Sequence, residues 1–327
     1  MRRPLLVPLL AGTLLATAAL SGCAAFSDEG STAGGSGAPS GGKLSVVTAF
    51  YPLQYAASRV AGDRAVVTNL TKPGGEPHDL EIPPRETADI VDADLVVYEQ
   101  GFQPAVDDAI TQNAEGTTLD AASVVGLVAA DHDGHDHGAE DHSTAAEEEG
   151  HGDGSDLDPH FWQDPLRMAK LGDALAKKLS GLDPDHAQEY AANAASLRTD
   201  LESLHTAYAQ GLASCTRDTV VVSHDAFGYL DSYGLVMEPI AGLSPGAEPT
   251  PADLARLEDL IRSDGITTVF SERLVSPRLT ASLAQDVGVR TAVLDPIEGL
   301  SDQTAGEDYL SLMRANLAAL EKANGCR

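Results

Sequence analysis

The stretch Leu157-Asp158-Pro159-His160-Phe161-Trp162-Gln163-Asp164-Pro165 lies near the middle of the chain and contains its only tryptophan. Proline stiffens this stretch at two points, because each proline fixes its own φ and restricts the residue before it. A histidine in so stiff a turn is held in one orientation, so we interpret His160 as an imidazole presented to a transition metal. Asp164 and Pro165 predict a helix, with the N-cap at Asp164 and Pro165 in the first helical position.

Strands and helices alternate on both sides of this stretch, which predicts parallel sheets and an α/β fold. We predict one α/β lobe over residues 43–182 and a second over residues 215–327. Between them, residues 183–214 carry apolar side chains at spacings of three and four, the pattern of a long amphipathic helix. The prediction is therefore two small, doubly wound lobes joined by one long α-helix.

Helix starts in the second half carry capping signals. Thr250-Pro251-Ala252-Asp253 has the pattern of a capping box, and Ser276 before Pro277 predicts another cap. A last helix is predicted over about residues 304–322.

Three further side chains are candidate metal ligands. His78 follows the second predicted strand, His224 follows a Val-Val-Val strand, and Asp295 directly follows another strand. Open parallel sheets bind ligands beyond the carboxyl ends of their strands, so we expect these residues to meet His160 in the cleft between the halves. Three imidazoles and one carboxylate suit tetrahedral zinc. Since only the neutral imidazole binds metal, we expect the affinity to fall below about pH 6.

Several carboxylates lie close to these candidates in the sequence. Asp79 and Asp225 directly follow two of the histidines, and Glu272 follows a predicted strand. We expect these three carboxylates to orient the imidazoles from the side of each ring that faces away from the metal. A purely structural role is the alternative for Glu272. Glu76, two residues before His78, is the alternative carboxylate ligand to Asp295.

The run from Asp131 to Asp158 contains five histidines and eleven acidic residues in 28 positions, with no periodicity. We interpret it as a disordered loop of the first lobe. Ordering such a loop around an ion costs conformational entropy, so any zinc sites in it are expected to be weak. The alternative is a solvating acidic loop, which explains the acids but not the histidines. The candidate auxiliary ligands are His132, His135, His137, His142 and His151.

The first 42 residues have the composition of an export signal and a tether. Residues 1–22 combine two arginines with an apolar stretch and predict a signal peptide. Cys23 follows Leu20-Ser21-Gly22, which resembles a bacterial lipobox and predicts lipid attachment at Cys23. An ordinary signal peptide is the alternative. Residues 23–42 are rich in Gly and Ser and predict a flexible linker.

Export and charge restrict the partners. The net charge of −29 excludes nucleic acid as a partner, because an acidic surface repels phosphates. We expect an exported monomer, lipid-anchored to the outer face of the bacterial cytoplasmic membrane (in the periplasm of a Gram-negative organism). In this oxidising compartment Cys215 and Cys326 are expected to form a disulfide, with two buried thiols as the alternative.

Four segments resemble the signature segments of the zinc/manganese ABC-transporter substrate-binding proteins (cluster A-I), in their zinc-binding lipoprotein branch. They are Pro77-His78-Asp79, the stretch from Asp158 to Pro165, His224-Asp225-Ala226-Phe227-Gly228-Tyr229 and Leu294-Asp295-Pro296. The resemblance spans about residues 43–325. It implies two lobes joined by a rigid helix, with metal in the cleft between them.

The resemblance also implies a ligand set, which falls on His78, His160, His224 and Asp295. In that family, His at the third ligand position goes with zinc, and Glu there goes with manganese. The loop rich in His and Asp in the first lobe is similar to the loop found in the zinc branch. One departure is Pro77, since some zinc members have Glu directly before the first histidine.

These observations give a leading hypothesis and several alternatives. The leading one is high-affinity capture of Zn²⁺ and its delivery to a membrane permease driven by a cytoplasmic ATPase, without catalysis. The alternatives are a Mn²⁺-specific receptor of the same family, an exported zinc buffer or adhesin, and an exported zinc hydrolase. Four protein ligands argue against the hydrolase, because catalytic zinc keeps one position open.

Overall fold

The computed structural model describes residues 42–130 and 157–327. Two four-stranded sheets organise this part of the chain, with strand orders β2-β1-β3-β4 and β10-β9-β7-β8, and every pairing in both is parallel. The strands of the first sheet are β1 (Leu44–Thr48), β2 (Ala65–Asn69), β3 (Leu95–Tyr98) and β4 (Thr117–Asp120). Those of the second are β7 (Thr219–Val222), β8 (Val236–Pro239), β9 (Thr268–Ser271) and β10 (Arg290–Val293).

The two sheets share one topology. In each, the first strand lies inside the sheet, the second strand pairs on one side of it, and the third and fourth lie on the other side. In such an order the chain leaves β1 and β3, and likewise β7 and β9, in opposite directions. A crevice forms at the carboxyl ends of those strands, so the residues that follow them are placed to meet a ligand. The prediction of two doubly wound α/β lobes is confirmed.

Nine α-helices cover and connect these sheets in the described part of the chain. They are α1 (Tyr51–Ala61), α2 (Pro84–Val91), α3 (Pro104–Asn113), α4 (Ala122–Val125), α5 (Pro165–Leu182), α6 (Ala187–Gly211), α7 (Pro251–Ser263), α8 (Arg278–Val287) and α9 (Tyr309–Asn324). None of the helices in residues 42–130 and 157–327 combines the length and apolarity that crossing a bilayer requires.

Two predicted helix starts are confirmed by their hydrogen bonds. The Asp164 side chain accepts the N–H of Leu166 at 2.8 Å at the start of α5, where Pro165 is the first helical residue. Thr250 and Asp253 form the reciprocal bonds of a capping box at the start of α7. Both devices pair backbone groups that the first turn of a helix leaves unbonded.

Two other predicted helix starts were wrong. Helix α8 begins at Arg278, and its N-cap is Pro277, which makes no side-chain cap bond, so Ser276 lies one residue too early to cap. The last helix begins at Tyr309 rather than near residue 304, because Asp308 and Ser311 form its capping box. At α9 the capping box therefore decided the boundary, which the apolar pattern alone left ambiguous.

A short antiparallel pair lies at the edges of the His-rich run. β5 (Val128–Ala129) pairs with β6 (Leu157–Asp158), so the last two residues of the stretch predicted as disordered form a strand. The five histidines predicted as auxiliary ligands (His132, His135, His137, His142 and His151) lie outside the described residues. So do the predicted signal segment, residues 1–22, and the lipidation site Cys23.

Helix α6 contacts both halves of the body. Its 25 residues extend about 38 Å. Near its start the Asn193 side chain donates to the carbonyl of Val60 in α1 at 3.0 Å. Near its end the Tyr208 hydroxyl donates to the carbonyl of Met313 in α9 at 2.7 Å. A 3₁₀ turn (Pro184–His186) precedes it, within the segment predicted as one continuous helix.

The second sheet separates two apolar clusters. Along β7, Val220 and Val222 belong to the large core that also contains α1, α5, α6 and α9, whereas Val221 belongs to a smaller core beneath α7 and α8. This alternation follows from the period of two along a strand. All three valines are at most 1% exposed, which explains why the strand reads as a continuous apolar run.

The predicted disulfide between Cys215 and Cys326 is present. It closes a loop with a sequence separation of 111 residues, so it ties the end of α9 to the segment between α6 and β7. A cross-link over a loop of this length removes many conformations from the unfolded chain.

We therefore expect the double substitution Cys215→Ser and Cys326→Ser to lower the free energy of unfolding by about 2–5 kcal/mol. Chemical denaturation of the oxidised chain and the variant measures the difference. Reductant should bring the parent chain to the variant's midpoint and leave the variant's midpoint unchanged. A variant as stable as the oxidised parent would contradict this assignment.

Candidate metal centre

Four side chains from different segments converge on one point. His78, His160, His224 and Glu298 each direct one ligand atom inward, and these atoms all lie within 4.8 Å of one another. Oε1 of Glu298 is 3.5 Å from Nε2 of His78, 3.6 Å from Nε2 of His160 and 3.3 Å from Nε2 of His224. A tetrahedral zinc ion with bonds of about 2.0–2.1 Å separates its ligands by about 3.3–3.4 Å. The spacing around Glu298 is thus close to that of a tetrahedral site.

These inward-facing atoms are buried and have no hydrogen-bond partner. Within the described part of the chain, the Nε2 atoms of the three histidines have no hydrogen-bond partner. Oε1 of Glu298 has none either. Buried polar atoms are almost always hydrogen-bonded, so four unbonded ones facing a common point form the donor set of a cation site. His160 and His224 are fully buried and Glu298 is 1% exposed, while His78 is 10% exposed, which makes His78 the solvent side of the site.

The orientation of His160 is fixed by a carboxylate two residues earlier in the chain. Oδ1 of Asp158 accepts the backbone N–H of His160 at 2.9 Å and lies 2.8 Å from its Nδ1. The proton on Nδ1 therefore points to Asp158, which leaves the lone pair of Nε2 facing the centre. The Trp162 ring packs 5.2 Å from the imidazole and 4.9 Å from the ring of Phe50, so the turn is clamped by aromatic packing.

His224 is oriented in the same way by a residue of the neighbouring strand. It lies just beyond β7, and Glu272 follows β9 directly. Oε1 of Glu272 is 2.5 Å from Nδ1 of His224, and the Ser223 hydroxyl also donates to this carboxylate. The two strands pair in parallel, so their carboxyl ends bring the acid beneath the imidazole.

His78 lies in the loop between β2 and α2. The Glu76 carboxylate accepts the backbone N–H groups of His78 at 3.0 Å and of Asp79 at 3.2 Å, which closes a tight turn. The Gln103 side chain donates to the carbonyl of Pro77 at 3.0 Å. The imidazole packs edge-on against Phe102 with 4.6 Å between ring centroids. The loop is thus held by polar side chains rather than by secondary structure.

The carboxylate at the centre is Glu298, whereas the sequence prediction was Asp295. Oδ1 of Asp295 accepts the N–H of Ile297 at 2.9 Å, and Oδ2 lies 3.0 Å from Nε of Arg273. Oδ1 is therefore hydrogen-bonded away from the imidazoles, while Oδ2 has no hydrogen-bond partner among the described residues and lies against the Arg273 guanidinium. The signal for Glu298 was its position three residues after Asp295 in the same loop, but the sequence does not show which acid turns inward.

The backbone before Glu298 is strained. Ile297 has φ 63°, which places a β-branched residue in the left-handed region. Such a conformation costs about 1–3 kcal/mol and persists only where the surroundings impose it. Across the cleft, the Pro296 carbonyl accepts the Trp162 indole N–H at 2.7 Å and the Gln163 amide at 2.6 Å. The loop that bears Glu298 is therefore bonded to the turn that bears His160.

The ligand groups change each other's protonation. Burial alone raises the pKa of Glu298, but its contacts with His224 and His78 outweigh burial and hold this pKa well below its usual value. Burial disfavours charge on His224, yet Glu272 and Glu298 outweigh it and raise the pKa of this imidazole to about 10. For His160, burial lowers the pKa and the Asp158 carboxylate offsets this only partly.

The predicted supporting acids have different positions. Glu272 contacts His224 as described. Asp79 is exposed, and the carboxylate that bonds the His78 backbone is Glu76 instead. Asp225 is half-buried and its N–H donates to the carbonyl of Gly242 at 3.1 Å. Asp158 was missed as the partner of His160, although a carboxylate two residues before a ligand commonly bonds the backbone ahead of it.

Comparison with known proteins gives consistent family matches. The family model described as "Zinc-uptake complex component A periplasmic" (ZnuA) matches residues 46–323. The zinc-binding lipoprotein AdcA of Streptococcus pneumoniae (strain ATCC BAA-255 / R6) is 38% identical over 290 residues, covering 86% of this chain and 56% of AdcA. The chain therefore spans little more than half the length of that relative. The high-affinity zinc uptake system protein ZnuA of Bacillus subtilis (strain 168) is 32% identical, covering 88% of this chain and 89% of that protein.

A solved structure agrees with these matches. The crystal structure of the Zn(II)-bound ZnuA-like domain of Streptococcus pneumoniae AdcA superposes with a TM-score of 0.70 and 34% sequence identity. The match covers 86% of this chain and 99% of that domain. The fold, the sequence relatives and the family match together show that the chain belongs to the ZnuA family.

Proposed function

We propose that this protein captures Zn²⁺ outside the cytoplasm and delivers it to the permease of an ABC-type importer, which a cytoplasmic ATPase drives. One observation carries the proposal: four buried, unbonded ligand atoms, three from imidazoles and one from a carboxylate, lie within 4.8 Å of one another, with the imidazole nitrogens 3.3–3.6 Å from the carboxylate oxygen. The zinc-binding and zinc-uptake names of the relatives in Streptococcus pneumoniae and Bacillus subtilis support it. In this proposal His78, His160, His224 and Glu298 bind the ion.

The donor set favours zinc over manganese. Imidazole nitrogen suits Zn²⁺, whereas Mn²⁺ prefers oxygen ligands in octahedral sites. Three of the four inward atoms are imidazole nitrogens, and the spacing around Glu298 matches four-coordinate geometry. Burial of His160 and His224 also restricts additional water ligands on their side of the site.

The arrangement supports binding rather than catalysis. Catalytic zinc sites use three protein ligands and leave the fourth position to water, whereas four protein ligands close the coordination sphere. Family membership points the same way, since the family is one of transporter substrate-binding proteins. We therefore propose a carrier of the ion and not an exported zinc hydrolase.

The N-terminal residues of the chain are proposed to direct export and membrane anchoring. We propose that residues 1–22 are removed as a signal peptide, that Cys23 is lipidated, and that residues 23–42 tether the body to the outer face of the membrane. The family's periplasmic description and the lipoprotein name of the Streptococcus pneumoniae relative support export and anchoring. The His-rich run between residues 131 and 156 is proposed as an auxiliary, weak collector of zinc.

Metal titration by calorimetry tests the proposed function. The chelated protein should bind one Zn²⁺ tightly and prefer it to Mn²⁺, and His224→Ala should weaken zinc binding by at least about 100-fold, because it removes a buried ligand. His186→Ala is the matched control: this histidine bonds Asp183 and lies outside the site, so its removal should leave zinc binding unchanged. Preference for Mn²⁺ would keep the fold but overturn the proposed metal.

Deletion of residues 131–151 separates the two sets of histidines. We expect the tight site to survive this deletion, since its four ligands lie elsewhere in the chain. Only weak binding beyond the first equivalent should disappear. Loss of the tight site on deletion would show that the His-rich run is the principal ligand.

Zinc binding should also release a proton. His224, with a pKa of about 10, carries a proton on Nε2 at pH 7, and zinc must displace this proton to bind there. The second ring proton, on Nδ1, remains hydrogen-bonded to Glu272. We expect about one proton released per zinc from His224, and an association constant that rises about tenfold per pH unit between pH 7 and 9, so the affinity begins to fall well above the pH of about 6 expected for an unperturbed imidazole. Calorimetry in buffers of different ionisation enthalpy counts the protons.

The variant Glu272→Gln provides the control for proton release. It removes one of the two carboxylates that raise the pKa of His224, so both the proton count and the pH slope should fall. An association constant that does not change with pH between pH 7 and 9 in the parent protein would contradict the assignment of that proton.

A further inference from the structure

We propose that Asp295 is a positioning residue that directs Glu298 at the metal by holding Ile297 in its left-handed conformation. The inference rests on the proposed function, in which Glu298 binds zinc. Asp295 contributes through the backbone of the loop and not as a ligand.

The hydrogen bond from Ile297 to Asp295 spans the strained residue. Oδ1 of Asp295 accepts the Ile297 N–H at 2.9 Å, and Ile297 has φ 63°. A β-branched residue does not adopt this conformation without support. Glu298 follows immediately, so the left-handed turn at Ile297 sets the direction in which the Glu298 side chain leaves the backbone. Ile297 is itself fully buried, which leaves the loop no freedom to relax outward.

Asp295 is in turn held from three directions. Its backbone N–H donates to Oδ1 of Asn316 at 2.9 Å, and its carbonyl accepts from Nδ2 of Asn316 at 2.6 Å. Its second carboxylate oxygen lies 3.0 Å from Nε of Arg273. Asn316 is buried in α9, so the acid is anchored to a helix and its charge is matched by a cation.

The same loop is held on its other side by the His160 turn. Trp162 and Gln163 both donate to the carbonyl of Pro296, the residue between Asp295 and Ile297. The loop therefore has fixed bonds at three consecutive residues before Glu298. Among the described residues, the three Nε2 atoms that face Glu298 have no hydrogen-bond partner, so the direction of the backbone before Glu298 decides how close its carboxylate comes to them.

A double-mutant cycle in the full chain tests the proposal, with zinc affinity measured by calorimetry. We expect Asp295→Ala to weaken zinc binding about 10- to 100-fold, as the loss of groups that orient ligands does. Asp295→Asn keeps an acceptor for the Ile297 N–H and should lose less than about tenfold. In the Glu298→Ala background, adding Asp295→Ala should change the affinity by less than about twofold, because its effect acts through Glu298.

Cobalt as a spectroscopic probe separates positioning from general damage. The visible absorption of bound Co²⁺ reports the ligand set, so Asp295→Ala should give the spectrum of Glu298→Ala, while Asp295→Asn should keep that of the parent. Asp295→Asn as harmful as Asp295→Ala, together with additive losses in the cycle, would show that Asp295 binds the metal itself and overturn the proposal. An unchanged affinity and spectrum in Asp295→Ala would overturn it as well.

Two measurements keep the test decisive. Thermal unfolding without metal establishes that each variant folds. If Asp295→Ala does not, Asp295→Leu, which is of similar size but also offers no acceptor to the Ile297 N–H, takes its place in the same cycle against Glu298→Ala, and additive losses overturn the proposal. A parent chain that binds no zinc would refute the proposed function. A parent that binds zinc tightly while the cycle is additive would refute only the role of Asp295.

Discussion

The structure depends on one buried carboxylate, that of Glu298, which faces three imidazoles away from water. Removing a carboxylate from water is expensive unless cations or hydrogen bonds replace its hydration. Here the compensation comes from His78, His160 and His224, whose Nε2 atoms all lie within 3.6 Å of its Oε1. The two lobes each contribute part of this constellation.

Two of the imidazoles are held by a carboxylate on the side away from the centre, and both carboxylates lie at or just beyond the end of a strand. Asp158 and Glu272 fix the Nδ1 sides of two imidazoles, and both are buried. Trp162 joins the His160 turn to the loop of the opposite lobe through the Pro296 carbonyl. Helix α6 contacts α1 near one end and α9 near the other. The donor geometry is therefore fixed by bonds in the protein itself, and little side-chain entropy remains to be lost when an ion binds.

The sequence predicted the parts that follow from local rules. The histidines lie beyond strand ends or in proline-stiffened turns, and Asp164 and Thr250 cap helices because their side chains reach the backbone of the next turn. The carboxylate was not predictable in this way. Asp295 and Glu298 lie in one irregular loop, and the choice between them depends on the left-handed turn at Ile297, which hydropathy does not encode. Periodicity likewise placed the start of α9 too early, since capping by Asp308 decides it.

The charges of the site explain why a divalent cation is the suitable occupant. Glu298, Asp158 and Glu272 are carboxylates buried against the imidazoles, and His224, with its raised pKa, is the cation that partly balances them. The raised pKa of His224 places one proton opposite Glu298 and Glu272. A divalent ion that displaces this proton brings the buried charge closer to neutral and replaces contacts of more than 3 Å by direct bonds of about 2 Å. The same electrostatics that stabilise the protonated site thus favour its exchange for zinc.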